Sequence, residues 1–91
     1  MDITVEDEWP WFKVVWGADR TDEEIGNIAK KYRATDTPGE EAAKFLGIYR
    51  GSVFLPISTK SIYFYRQHCQ DELQAMAYYM QVRHILEAID G

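Results

Sequence analysis

An apolar stripe that changes sides within the last third of the chain limits the possible folds more than any other feature. Ile62, Tyr65, Cys69, Leu73, Met76 and Met80 recur at helical spacing, with Gln67, Gln70, Asp71 and Gln74 opposite. Beyond Met80 the pattern turns over. At about 100° per residue, Val82, Leu86 and Ile89, joined by Tyr78, point roughly 180° away from Ile62 and Met80. One straight helix over residues 59–90 would be roughly 48 Å long. A compact chain of 91 residues has a radius of gyration of only about 12 Å. Either the helix breaks or it projects and buries its distal face on another chain.

The two outcomes differ at residues 58–66. An early start uses Ser58 as the cap, with Ile57 and Ile62 as a hydrophobic staple. A late start reads Ile62-Tyr63-Phe64-Tyr65 as a strand and Ser58-Thr59-Lys60 as a hairpin turn after residues 52–57, which leaves a helix from about 67 to 90. The staple and the 3-4 spacing favour the early start. In both versions Tyr78, Tyr79, Val82, Leu86 and Ile89 form a second apolar face. The expectation is that this face makes a homodimer; the alternative is a bent helix folding back on its own domain.

Upstream, the punctuation is clearer. Trp11 to Trp16 is aromatic and β-branched, ends at Gly17 and follows Pro10, so a strand starts near Trp11 or lies at a sheet edge. Alternation puts Trp11 with Val15 on one face and Phe12 with Trp16 on the other. Thr21-Asp22-Glu23-Glu24 reads as a capping box opening a helix over about 21–34, with Lys30, Lys31 and Arg33 at its C-terminal end. Thr37-Pro38-Gly39-Glu40 opens a second helix, with Gly47 or Gly51 as the stop. Ser52-Val53-Phe54-Leu55 reads as a short strand able to pair with 11–16. The fold class is α+β: a small two- or three-stranded antiparallel sheet packed with an αα-hairpin and a long C-terminal helix, with a mostly α arrangement as the alternative. An acidic leader over 1–8 precedes a single globular domain over 9–91.

Charge then decides among functions. Residues 1–49 carry eleven acids against six bases, and residues 50–91 carry four of each, so the whole net charge of −5 sits on the first half. That sign disfavours direct nucleic-acid binding through bulk charge. A helix-turn-helix regulator is the alternative, since two short helices are joined by a brief turn, but its recognition helix would enter a groove leading with Glu40 and Glu41. The lone Cys69 cannot form an intramolecular disulfide, the N-terminus is acidic where a signal peptide would be basic, and no apolar run could span a bilayer. These features point to a cytoplasmic protein without membrane contact.

No residues fall into catalytic roles, so the chain reads as a non-enzyme. Cys69 lies on the apolar stripe as a small core side chain, and His68 and His84 would stand about 24 Å apart on a straight helix. His68 with Asp71 and Glu72, or His84 with Glu87, could offer ligands from one helical face, but each group lacks the partner pair that a closed metal site needs. A small-molecule or metal-binding domain is thus a second alternative, and no cofactor is expected. The leading expectation is a non-catalytic adaptor or inhibitor that offers acids and aromatics to a basic, possibly nucleic-acid-binding, partner protein. Its candidate contacts are Glu6, Asp7, Glu8, Trp9, Trp11, Asp22, Glu23, Glu40 and Glu41.

Overall fold

A computed structural model describes residues 3–31, 37–56 and 60–90, and within them all side chains except those at 29, 31 and 88–90. The elements run β1 (Thr4–Glu8), β2 (Trp11–Val15), α1 (Asp22–Lys31), α2 (Thr37–Leu46), β3 (Val53–Phe54), β4 (Ser61–Tyr65) and α3 (Glu72–Asp90). Single 3-10 turns occupy Arg50–Ser52 and Arg66–His68. The four strands form one antiparallel sheet in the order β1-β2-β4-β3. The class is α+β, as expected, with one or two more strands than the sequence pattern suggested.

The extra strand is the segment expected to be a leader. Thr4 to Glu8 pairs with β2 along its whole length, from Thr4 opposite Val15 to Glu8 opposite Trp11. Acidic side chains do not prevent this, because an edge strand needs only one ladder and its charges can stay in water. β3 pairs with β4 and not with β2, because β4 takes the central position between them.

The long-helix conflict is resolved by a break. Residues 61–65 are a strand, which corrects the expected early helix start; the Ile57–Ser58 part of that staple lies outside the described residues. The helix begins instead behind Asp71, whose Oδ1 accepts the Gln74 amide at 2.8 Å while the Gln74 side-chain oxygen accepts the Gln70 amide at 2.6 Å. Asp71 thus caps the helix one turn beyond the Arg66–His68 turn, with the return bond from Gln74 reaching the residue before the cap, and this Asp-x-x-Gln spacing stands in the sequence. The remaining 19-residue helix is about 28 Å long. It fits a molecule of 33 × 24 × 20 Å with a radius of gyration of 12.0 Å.

The Thr21 box and the Gly47 stop form as written, and residues 32–34 of the first expected helix lie outside the described residues. Thr21 Oγ1 accepts the Glu24 amide at 3.1 Å, and the Glu24 carboxylate accepts the Thr21 hydroxyl at 3.2 Å. At the end of α2, Gly47 takes φ +71°, its amide donates to Lys44 O at 3.1 Å, and the Ile48 amide donates to Ala43 O at 3.0 Å. That pair of bonds is a Schellman stop, which favours glycine because the left-handed conformation crowds a Cβ. Gly47, not Gly51, ends the helix.

All helices that contribute to the core do so from one side of the sheet. Phe12, Val14, Val53, Ile62 and Phe64 on the inner face are sealed by Ile25 and Ile28 of α1, Ala42 and Ala43 of α2, and Ala75, Tyr79, Val82 and Leu86 of α3. Tyr78 packs its ring 5.5 Å from that of Phe64 and donates its hydroxyl to His68 O at 2.9 Å. No helix among the described residues is long and apolar enough to cross a membrane.

Candidate functional site

Strand alternation gives the sheet a second face, and its residues differ in kind from those inside. Trp11, Lys13 and Val15 on β2 stand beside Tyr65, Tyr63 and Ser61 on β4; Glu8 and Glu6 on β1 flank one side, and Phe54 on β3 flanks the other. Trp11 meets Tyr65 at 5.0 Å between ring centroids and Tyr63 at 6.2 Å, the latter edge to face at 81°. Phe54 lies 6.3 Å from Tyr63 at 35°. Together Trp11, Phe54, Pro56 and Tyr63 line a solvent-open groove of about 370 Å³. Phe54 is 41% exposed, and Trp9, in the turn joining β1 and β2, is 79% exposed. Aromatic side chains left this open are the expected mark of a contact surface, because they supply rigid area at low entropic cost.

One cation sits among these rings. Lys13 Nζ lies 3.3 Å from Glu8, 3.6 Å from Glu6 and 6.0 Å from the centre of the Tyr63 ring. Partial burial works to lower its pKa, but the Glu8 hydrogen bond and the charges of Tyr63, Glu8 and Glu6 outweigh it and hold the ammonium above its ordinary range. Two carboxylates on one ammonium leave this side of the face negative.

The nine contact residues expected from sequence do not form one surface. Glu6, Glu8 and Trp11 share the open face, with Trp9 at its border. Asp7 points to the opposite side and pairs with Arg66. Asp22 lies 3.3 Å from Lys60 Nζ, and Glu23, Glu40 and Glu41 are exposed on α1 and α2, the helices that cover the inner face. Alternation unites acids from β1 with aromatics from β2 and β4 and separates them from the helical acids. Phe54, Pro56, Tyr63 and Tyr65 escaped the sequence reading because a helical register over 61–65 gives no face on which Tyr63 joins Trp11; the period-two pattern Ser-Ile-Tyr-Phe-Tyr carried the signal.

The expected self-association surface is also corrected. Tyr79, Val82 and Leu86 are 4%, 0% and 2% exposed, because this stripe of α3 covers the protein's own sheet. Tyr78 is half-buried against the same core, and the side chain of Ile89 lies outside the described ones. The stripe read as core instead faces outward at Leu73 and Met80, 82% and 47% exposed. Within α3 the second face turns inward, while of the first stripe Met76 packs against the core and Leu73 and Met80 face water.

Elsewhere the chemistry is structural. Ser52 Oγ and His68 Nδ1 are 2.6 Å apart, but Ser52 is 1% exposed, so the pair ties two 3-10 turns together and presents no nucleophile. Burial, reinforced by the Asp71 charge, pushes the Cys69 thiol up to about 11, the opposite of a reactive thiolate. Asp71 caps α3, and His84 packs 5.2 Å from the Phe45 ring. Among the described residues no three His, Cys, Asp or Glu side chains converge to hold a metal ion. In α2, Pro38 and Gly39 are buried at the N-terminal end that a recognition helix would insert into a groove.

The fold and the open face thus define an α+β domain in which one sheet surface is uncovered by helices among the described residues. No known protein family, curated protein or solved structure matches the chain.

Proposed function

We propose that the chain is a non-catalytic interaction module, an adaptor or inhibitor acting in the cytoplasm, that docks a basic partner protein on the open face of its sheet. The observation that carries this reading is the grouping of Trp11, Tyr63, Tyr65 and Phe54 beside Glu6 and Glu8 on one face that no helix covers among the described residues. A monomer leaves these rings partly in water at a solubility cost, and a partner that covers them recovers the hydrophobic term. The carboxylates steer that partner and select its sign. Sheet-face aromatics can also stack nucleic-acid bases, but such sites pair the rings with a positive groove. Here the central cation is already held by two acids.

A photoreactive benzoylphenylalanine at position 54, introduced in the native host, tests this. The expected adducts are to one or a few basic proteins, through Lys- or Arg-rich segments, and they disappear when Trp11 is also replaced by Ala. The same probe at Gly26, exposed on α1, should give none of them. Adducts chiefly to nucleic acid, or identical adducts from both positions, would overturn the reading.

A further inference from the structure

The groove itself allows a narrower statement. We infer that the space between Trp11, Phe54, Pro56 and Tyr63 seats an arginine side chain of the basic partner, while Glu8 receives a second cation from the same segment. This inference rests on the docking reading above. Trp11 and Tyr63, at 81°, make two walls of a corner, and Phe54, only 35° from Tyr63, extends one of them. A planar guanidinium can lie on one ring while its edge meets the other, a fit that a compact ammonium lacks.

The electrostatics favour the same class. Ring faces are negative, and this molecule already uses them to hold cations: Lys13 is 6.0 Å from Tyr63, Arg20 5.1 Å from Trp16 and Arg66 4.2 Å from Phe12. Glu6 and Glu8 exceed Lys13 in charge beside the groove, and the whole chain carries −5. An anion would therefore be repelled. Glu8 stands opposite Trp11 on β1, and Tyr63 is on β4, two strands away. Two strand spacings are about 10 Å, roughly three residues of extended peptide. The partner segment should thus carry its second base about three positions from the arginine.

Backbone and indole N–H resonances of the whole chain, titrated with the acetylated, amidated peptide Gly-Arg-Gly-Gly-Lys-Gly, provide the test. The Trp11 indole and the amides of Phe54 and Tyr63 should shift saturably. Replacing the arginine by citrulline, nearly the same shape without charge, should weaken binding about fivefold, the worth of a partly exposed cation–ring contact. Phe54→Ala should bring the arginine peptide down to the citrulline level while the remaining resonances stay in place. Equal affinity for the two peptides, shifts confined to Glu23, Glu40 and Glu41, or no shift at millimolar peptide would each overturn the inference. If the cross-linker at position 54 still captures a basic protein in those cases, the docking reading stands and only the arginine seat falls. If no basic protein is captured, the docking reading falls with it.

Discussion

The two faces of the sheet are built from the same strands, one residue apart, and they solve different problems. Phe12, Val14, Ile62 and Phe64 point inward and are at most 3% exposed. Trp11, Lys13, Tyr63 and Tyr65 point outward and, among the described residues, lie under no helix. The inner set is aliphatic or Phe, with no polar atom to satisfy. The outer set carries indole, phenol and ammonium groups, each with an apolar body and a polar tip suited to a surface that is wet at some times and covered at others. Stability accounts for the first set; for the second it leaves the rings unexplained, which is why the functional reading is placed there. Helix α3 repeats the contrast, with Tyr79, Val82 and Leu86 inside and Leu73 and Met80 outside.

The largest expected effect comes from mistaking one face for the other. Leu86→Glu places a carboxylate in a closed apolar core where nothing pairs it. Penalties of this kind exceed about 4 kcal/mol and leave little folded protein. Leu73→Glu, on the exposed stripe, should change stability by less than about 0.5 kcal/mol. Circular dichroism with urea unfolding separates the two. A folded Leu86→Glu chain of reduced mass in sedimentation would restore the dimer face that the packing denies.

On the sheet the same division predicts about 3–5 kcal/mol for Phe64→Ala, which removes a fully buried ring, and less than about 1 kcal/mol for Phe54→Ala at the open groove. Equal losses would mean that the outer rings serve the fold. The comparison predicts that Phe54→Ala loses the partner and keeps the fold, and that any partially folded Phe64→Ala protein loses both together.

How much of this division the sequence disclosed depends on the length of each signal. Local start and stop signals were legible: Thr21 with Glu24, and Gly47 as a left-handed stop, act within one turn of helix. The face shared by Trp11 and Val15 was also within reach of strand alternation. The rest was hidden because Ile62, Tyr65, Cys69 and Leu73 satisfy the helical period even though the first two lie on a strand, and a short apolar run fits either period. Long-range pairing of β2 with β4 decided between them. Tyr63 joins Trp11 through that pairing and Phe54 joins Tyr63 through the pairing of β3 with β4, so the period-two pattern of 61–65 could mark a face but not its neighbours. Edge strand β1 was missed for a related reason: its acids mask a pairing that one ladder suffices to make.

Alkaline pH probes the inner layer as a whole. Burial raises the Cys69 thiol, ordinarily near 9, to about 11. Tyr79 is raised by burial and then by Glu87, and Tyr78 by burial and then by the charge of Cys69. Each group is easier to deprotonate in the unfolded chain, so its contribution is whole below the unfolded pKa and is lost as pH rises through the folded value. Stability should therefore hold up to about pH 9 and decline toward 11, with the thiol responding first. Cys69→Ala should flatten the early part of that decline and leave the tyrosine part. A decline that Cys69→Ala leaves unchanged would show that the thiol is not sealed behind the sheet.

The smallest effect concerns what sets the phase of α3. Asp71 accepts the Gln74 amide, and this cap holds the first turn of the helix, while the buried stripe meets Phe64 and Ile62. Asp71→Ala should cost about 1 kcal/mol, as loss of a helix cap does, while Asp71→Asn or Asp71→Ser should recover most of it. Amide exchange locates the change: protection should fall at Leu73 to Ala75 and stay intact at Val82 and Leu86, whose packing holds the rest of the helix in register. Uniform loss along α3 would mean that the cap, and not the buried stripe, decides which face turns inward.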